Sequence, residues 1–155
     1  MAVVDILAVR AGLAGGQRLL GIDPGAKSIG LALSDVGLML ASPFAQLRRS
    51  KFGANVLELK NIVAVQGVGG LVVGLPLSMD GSFGPAAQAA RDWAHGLSAA
   101  LRLPVAMWDE RLSSAAANRV LLGEADLSRA RRAQLVDAMA ASYMLQAALD
   151  ASRPL

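Results

Sequence analysis

The sequence predicts an α/β domain on a mixed five-stranded sheet: three antiparallel strands, then alternating helices and strands, with helices flanking the sheet. Three observations predict it. Three short apolar runs, 19–23, 29–35 and 38–44, are separated by tight turns only, which makes an antiparallel meander. Two later apolar runs, 70–77 and 105–108, alternate with segments of helical spacing. The first of these is almost continuously apolar, as a strand buried on both faces must be.

The elements follow in order. Residues 1–18 read as an irregular N-terminal extension, loosened by Gly12, Gly15 and Gly16, ahead of a single domain over 19–155. The first run ends on Asp23, Pro24-Gly25 turns the chain, and Ile29 to Leu33 returns. Gly37 supports the second turn. Residues 53–66 place Val56, Leu59, Ile62 and Val63 at helical spacing. Pro85 opens a helix over 86–101, where proline is well tolerated. Pro104 precedes the strand Val105 to Trp108. Ser113 caps a helix to about Leu122, an Arg-rich loop follows, and a last helix runs from about Ser128 to Ala151.

Composition narrows the functional classes. The chain has 155 residues, enough for one domain with a real core. It has no cysteine, which removes disulfides, thiolate metal sites and thiol catalysis and fits a reducing cytoplasm. The single histidine, His95, makes the usual hydrolase triads hard to build; it lies on an alanine-rich helix and reads as a surface residue. The longest apolar stretch, Ile62 to Leu77, is interrupted by Gln66, glycines and Pro76, so no membrane span is expected. No basic segment precedes the N-terminal apolar stretch, so no secretory signal is expected either. A net charge of +3 permits a nucleic-acid partner.

Three acidic positions stand out by placement. Asp23 ends the first strand, Asp109-Glu110 follow the last strand, and Asp137 interrupts an apolar stretch of the last helix. Each has an ordinary reading. Asp23 suits a turn before Pro-Gly, Asp109 and Glu110 suit a solvated strand end or partners of Arg111, and Asp137 suits a partner of Arg131 or Arg132. Together, at the carboxyl ends of adjacent strands, they can converge. Clustered carboxylates repel unless a cation neutralises them, and oxygen-only ligands select Mg²⁺ or Mn²⁺. Such ions can activate water against a phosphodiester.

Two further segments touch phosphate chemistry. Gly74-Leu75-Pro76-Leu77-Ser78-Met79-Asp80-Gly81 leads from the central strand into a helix, where backbone N–H groups suit a phosphate; a plain strand-to-helix turn is the alternative. Asp109-Glu110-Arg111-Leu112-Ser113-Ser114 offers Arg111 to a carboxylate or a phosphate. Basic residues gather at Arg48, Arg49 and Lys51 and at Arg129, Arg131 and Arg132, as solvated loops or as phosphate-tracking ridges. Aromatic residues are only 4% of the chain, so Trp93 and Trp108 read as core rather than as a stacking platform.

These segments, with Asp23-Pro24-Gly25-Ala26-Lys27-Ser28-Ile29-Gly30 and Val136-Asp137-Ala138-Met139-Ala140-Ala141, resemble the YqgF family, also called RuvX. These are pre-16S rRNA nucleases and Holliday junction resolvase-like proteins of the RNase H-like superfamily. The four segments occur in the family's order, over about residues 19–150. The resemblance implies an RNase H-like fold, a cytoplasmic location and a Mg²⁺- or Mn²⁺-dependent endonuclease that processes the 5′ end of the 16S rRNA precursor. Its acidic site maps onto Asp23, Glu110 and Asp137 as catalytic residues and metal ligands. Lys27, Ser78, Asp80, Gly81, Arg111, Arg131 and Arg132 would meet the phosphate backbone. Two positions depart from the family: Ser78 stands where asparagine is common, and Ala133-Gln134-Leu135 stand where lysines often precede the last aspartate. A resolvase of branched DNA is the alternative with the same chemistry, and it favours a homodimer over a monomer. A non-catalytic nucleic-acid-binding module is the alternative without it. The Asp-x-Gly hairpin also resembles the phosphate loop of actin-like ATPases, but 155 residues are too few for their second domain.

Overall fold

The protein is described by a computed structural model covering residues 3–78, 80–112 and 129–154, with side chains from 136 onward in the last segment. Its strands are β1 (Arg18–Pro24), β2 (Ser28–Ser34), β3 (Ala41–Arg48), β4 (Val68–Leu75) and β5 (Val105–Asp109). Its helices are α1 (Ile6–Ala11), α2 (Phe52–Gln66), α3 (Pro85–Leu101) and α4 (Arg129–Ala151), with a 3₁₀ turn over Glu110–Leu112. The strands form one sheet in the order β3-β2-β1-β4-β5. β1 pairs antiparallel with β2, and β2 with β3, while β1–β4 and β4–β5 are parallel. The mixed sheet expected from the sequence is therefore present. The helix expected over 113–122, with Ser113 as its cap, lies outside the described residues.

Alternation along the strands sends side chains to two cores. Leu20, Ile22, Leu31, Leu71 and Val73 face α2 and α3, meeting Val56, Leu59, Ala94 and Leu97. Leu19, Ala32, Val72 and Ala106 face α4, meeting Ala141, Met144, Leu145 and Leu149. Full burial of Leu145 and Leu149 contributes about 1.5–3 kcal/mol each. α4 approaches closely because the sheet beneath it is lined by small residues. A Cβ on Gly21 would lie 2.9 Å from Leu145 Cβ and 3.4 Å from the Ala141 carbonyl.

Local chemistry sets the boundaries. Pro85 occupies the first turn of α3, as expected. Gly67 ends α2 in the left-handed region, φ +66°, and its N–H bonds the Val63 carbonyl. Buried Asn55 ties the start of α2 to the end of β3: its Oδ1 accepts from Ser50 N at 3.0 Å and its Nδ2 donates to the Arg48 carbonyl at 3.1 Å.

Two expectations are corrected. The third strand starts at Ala41 rather than at residue 38. Asp35 Oδ1 accepts the N–H groups of Met39 and Leu40 at 2.8 and 3.0 Å, and Leu38 turns with φ +57°. These bonds hold 35–40 in a turn despite the apolar sequence. The N-terminal segment is not irregular throughout. Asp5 caps α1 by accepting from Ala8 N at 2.9 Å, Val9 is fully buried, and Val3 bridges Val105 in parallel. Arg10 Nη1 then reaches the Leu149 carbonyl at 3.2 Å and Ser152 Oγ at 3.1 Å, fixing α1 to α4.

β3 is irregular at one point. Leu31 faces Ala45 but Ala32 faces Pro43, so Phe44 is an unmatched, exposed residue.

Candidate active site

Asp23 belongs to the sheet surface that faces α4, in alternation with Leu19 and Gly21. It is only 7% exposed. Its neighbours across the sheet are glycines. Gly30 of β2 is its antiparallel partner, and continuing the Ile22–Val73 register sets Gly74 of β4 on its other side. Gly74 in turn pairs with Trp108. On this surface the row therefore reads Gly30, Asp23, Gly74, Trp108.

Each glycine clears room for one of the other acids. A Cβ on Gly30 would lie 2.2 Å from the Asp137 carbonyl and 3.2 Å from Asp137 Cβ. A Cβ on Gly74 would lie 2.6 Å from Glu110 Oε1 and 3.0 Å from Met144 Sδ. Asp137 thus sits over one side of Asp23 and Glu110 over the other. Ser28 Oγ donates to Asp137 Oδ2, which fixes that carboxylate against the start of β2. Among the described residues, no three histidine, aspartate or glutamate side chains form a ready-made metal cage. Mg²⁺ is commonly held by one or two carboxylates, with the rest of its shell from water and substrate phosphate. An all-carboxylate set over a glycine-cleared floor fits a hard divalent cation of that kind.

Asp109 is paired with Arg111. Arg111 Nη2 donates to Asp109 Oδ2 at 2.7 Å, Arg111 Nε reaches both carboxylate oxygens at 3.1 Å, and the Arg111 backbone N–H bonds Oδ1 at 3.0 Å. The Arg111 side chain is the main reason the Asp109 carboxyl lies below its ordinary value, with the backbone N–H adding to it. The same hydrogen bond raises Arg111, so the guanidinium stays charged. A carboxyl held low in the fold stabilises above its unfolded value, about 3.9, and loses that contribution as pH falls through its folded value. Asp109→Asn is therefore expected to be less stable than the parent at neutral pH, and the gap is expected to close below about pH 4. Urea midpoints measured across pH for both proteins check this.

The loop after β4 is closed on itself. Ser78 N donates to the Ser82 carbonyl at 3.1 Å, Gly81 N to the Ser78 carbonyl at 2.8 Å, and Ser82 N to Asp80 Oδ1 at 2.9 Å. Asp80 is held below its ordinary value by that Ser82 N–H first, then by the Ser82 hydroxyl, with the Arg111 charge adding to them. Gly81 turns with φ +86°, and a Cβ there would lie 3.3 Å from Arg111 Nη1. These three N–H groups are engaged within the loop, so phosphate contact by Ser78, Asp80 or Gly81 would have to come from elsewhere in it.

The remaining candidates are spread around this edge. Lys27 is exposed on the β1–β2 turn. Arg131 and Arg132 lie in the first turns of α4, about 8–9 Å along the axis before Asp137, and their side chains lie outside the described ones. His95 is exposed, and Trp93 and Trp108 are half-buried against the cores. The sequence places Gly74 only at the head of the phosphate-suited loop and Ser28 and Gly30 only within the Asp23 segment, with no part for any of them beside the acids. Their signal lies in strand pairing, because only the register shows that both glycines flank Asp23.

The model of one protein family, described as "RuvX: Holliday junction resolvase", matches residues 17–151. The chain belongs to the RuvX family. Curated relatives extend the match over almost the whole chain. A protein of Gluconacetobacter diazotrophicus named "Putative pre-16S rRNA nuclease" is 63% identical over 98% of this chain and 99% of its own length. A relative of the same name from Phenylobacterium zucineum is 45% identical over 100% of both chains. Among solved structures, Thermus thermophilus RuvC bound to a Holliday junction substrate aligns with a TM-score of 0.54. It covers 90% of this chain and 99% of that one at 18% identity, a likeness of fold alone. With the sheet order above, it gives this RuvX-family chain the RNase H-like fold. Among the described residues no helix is long and apolar enough to cross a membrane.

Proposed function

We propose that this chain is a divalent-metal-dependent endonuclease that processes the 5′ end of the 16S rRNA precursor. The observation that carries the reading is the row of Gly30, Asp23 and Gly74, with Asp137 over the first glycine and Glu110 over the last. Glycines hold the floor open on both sides of one nearly buried acid, and two other elements fill the clearings with acids. The names of the curated relatives support RNA as the substrate.

Asp23 and Asp137 would hold Mg²⁺ or Mn²⁺, with Glu110 as a further ligand or as the group that orients the attacking water. The ion, when bound, supplies charge neutralisation at the phosphate and acidity for that water. The chain's own residues set the frame. Ser28 Oγ keeps the Asp137 carboxylate turned to the sheet. The 3₁₀ turn Glu110–Leu112 carries Glu110 off the end of β5 and over Gly74. Asp109 neutralises Arg111, which keeps that cation beside the loop at Gly81. Lys27 offers a positive charge to the substrate backbone four residues beyond Asp23.

The test is cleavage of a labelled 16S rRNA precursor fragment with Mn²⁺ or Mg²⁺. Cuts in the 5′ flank are expected, lost with EDTA and restored by excess Mn²⁺. The family description names a Holliday junction resolvase, so a four-way DNA junction is the comparison substrate. Paired cuts in the junction, with none in the RNA, would replace the RNA reading by the resolvase reading. No cuts in either, with no heat of Mn²⁺ binding, would leave a non-catalytic binding module.

A further inference from the structure

A second concavity opens at the same carboxyl ends of β1 and β4, on the side of the sheet that faces α3. It is a groove of about 340 Å³ between the β1–β2 turn and α3. Pro24, Gly25 and Pro76 form one wall, and Ala86, Ala89 and Ala90 form the other. Trp93 and Arg49 complete the lining. Its volume is near the lower end for ligand-sized cavities, ~300–1,000 Å³. Pro24 directly follows Asp23, and Pro76 lies two residues beyond Gly74, so the groove and the carboxylate row share one rim.

Arg49 is held in place there. Its Nη1 donates to the Gly25 carbonyl at 2.8 Å, and its backbone N–H bonds the Lys27 carbonyl at 2.9 Å. Its guanidinium carbon lies 5.4 Å from the centroid of the Trp93 ring. The result is a planar cation anchored by the hairpin and by an aromatic face. Lys27, Arg48 and Lys51 are exposed along the same rim. Flat apolar walls, a fixed guanidinium plane and a basic border match one nucleotide: the base packs between the walls and the plane, and its phosphates meet the border.

We propose that this groove binds the base of an unpaired nucleotide adjoining the cleavage point. This rests on the nuclease reading above for its placement, though binding itself does not need the metal. A base inside a duplex is stacked and paired, and entering the groove would require its extrusion. The groove would therefore direct the protein to junctions of paired and unpaired strand rather than to continuous duplex.

The test is fluorescence anisotropy with a fluorescein-labelled single-stranded RNA of about eight nucleotides in EDTA, using an abasic residue at each position in turn. One abasic position is expected to weaken binding to the unaltered protein about tenfold, the loss of one packed base. Ala89→Leu, at an exposed helix position, fills the groove and should cost about the same, and the two losses should not add. Equal binding of every abasic RNA would overturn the proposal, as would an Ala89→Leu protein that keeps the parent's dependence on that base. Because no metal is present, failure of cleavage and failure of the groove are read separately.

Discussion

Asp23→Asn is expected to lower the cleavage rate about a hundredfold or more, the scale of losing one preorganised electrostatic group, while the folded state stays as stable as before or gains slightly. The substitution keeps the shape of the side chain and removes its charge. Asp23 is 7% exposed and lies between Asp137 and Glu110, so its charge is opposed by theirs in the absence of a cation. Removing it relieves repulsion in the fold and removes the central oxygen charge from the site. Activity and stability should thus move in different directions, which a merely structural aspartate would not produce. Single-turnover cleavage of the RNA fragment with Mn²⁺, beside urea unfolding of the same preparation, reads both. Cleavage at the parent's rate would sink the assignment of Asp23 as the central ligand.

Gly30→Ala is expected to cost about 3 kcal/mol of stability and to reduce cleavage as well. The new Cβ would lie 2.2 Å from the Asp137 carbonyl oxygen. That atom belongs to the backbone of α4, so no change of side-chain rotamer relieves the clash. Either α4 lifts from β2 or the sheet bends away. α4 also packs Ala141, Leu145 and Leu149 on the same surface, so lifting it exposes apolar area beyond the point of contact. Asp137 and its bond from Ser28 move with the helix. Gly53→Ala is the control, because nothing lies within 4 Å of a Cβ there. Urea unfolding with an unchanged slope against denaturant is the measurement, and parent-like stability of Gly30→Ala would contradict the close approach.

Most of the sheet is legible in the sequence because period and length specify it. The unbroken apolar run of β4 fits only a strand covered on both faces, and the core residues Leu71, Val72 and Val73 are all fully buried. Pro85 marked the start of α3 because proline suits a first helical turn. The start of β3 is not legible because Leu38 and Leu40 look like strand, whereas the carboxylate of Asp35 caps their turn from the side. α1 is not legible because a six-residue helix carries too little periodicity, and its cap at Asp5 and its contacts with the sheet and α4 stabilise it. In the site, Asp23, Glu110 and Asp137 are conspicuous as acids beside apolar runs. The glycines that make space for them are not, since a glycine in a strand reads equally as a bulge or a weak point until its cross-strand partner is known. The groove was also hidden. Arg49 and Trp93 are 44 residues apart, and nothing local pairs them.

The unmatched Phe44 and the neighbouring Pro43 bear on how this chain behaves in a crowded solution. A sheet exposes ladder groups at its two outer strands, and such edges recruit further strands from other molecules into aggregates. Here Val3 and Val4 lie along β5, with Val4 N donating to the Val105 carbonyl at 2.8 Å. On the far side, Pro43 has no N–H to offer and the bulge at Phe44 breaks the regular spacing an incoming strand would need. Each outer strand thus carries its own obstacle to edge-to-edge growth, so the apolar sheet that supports the carboxylates can stay open at its basic rim without becoming a template for self-association.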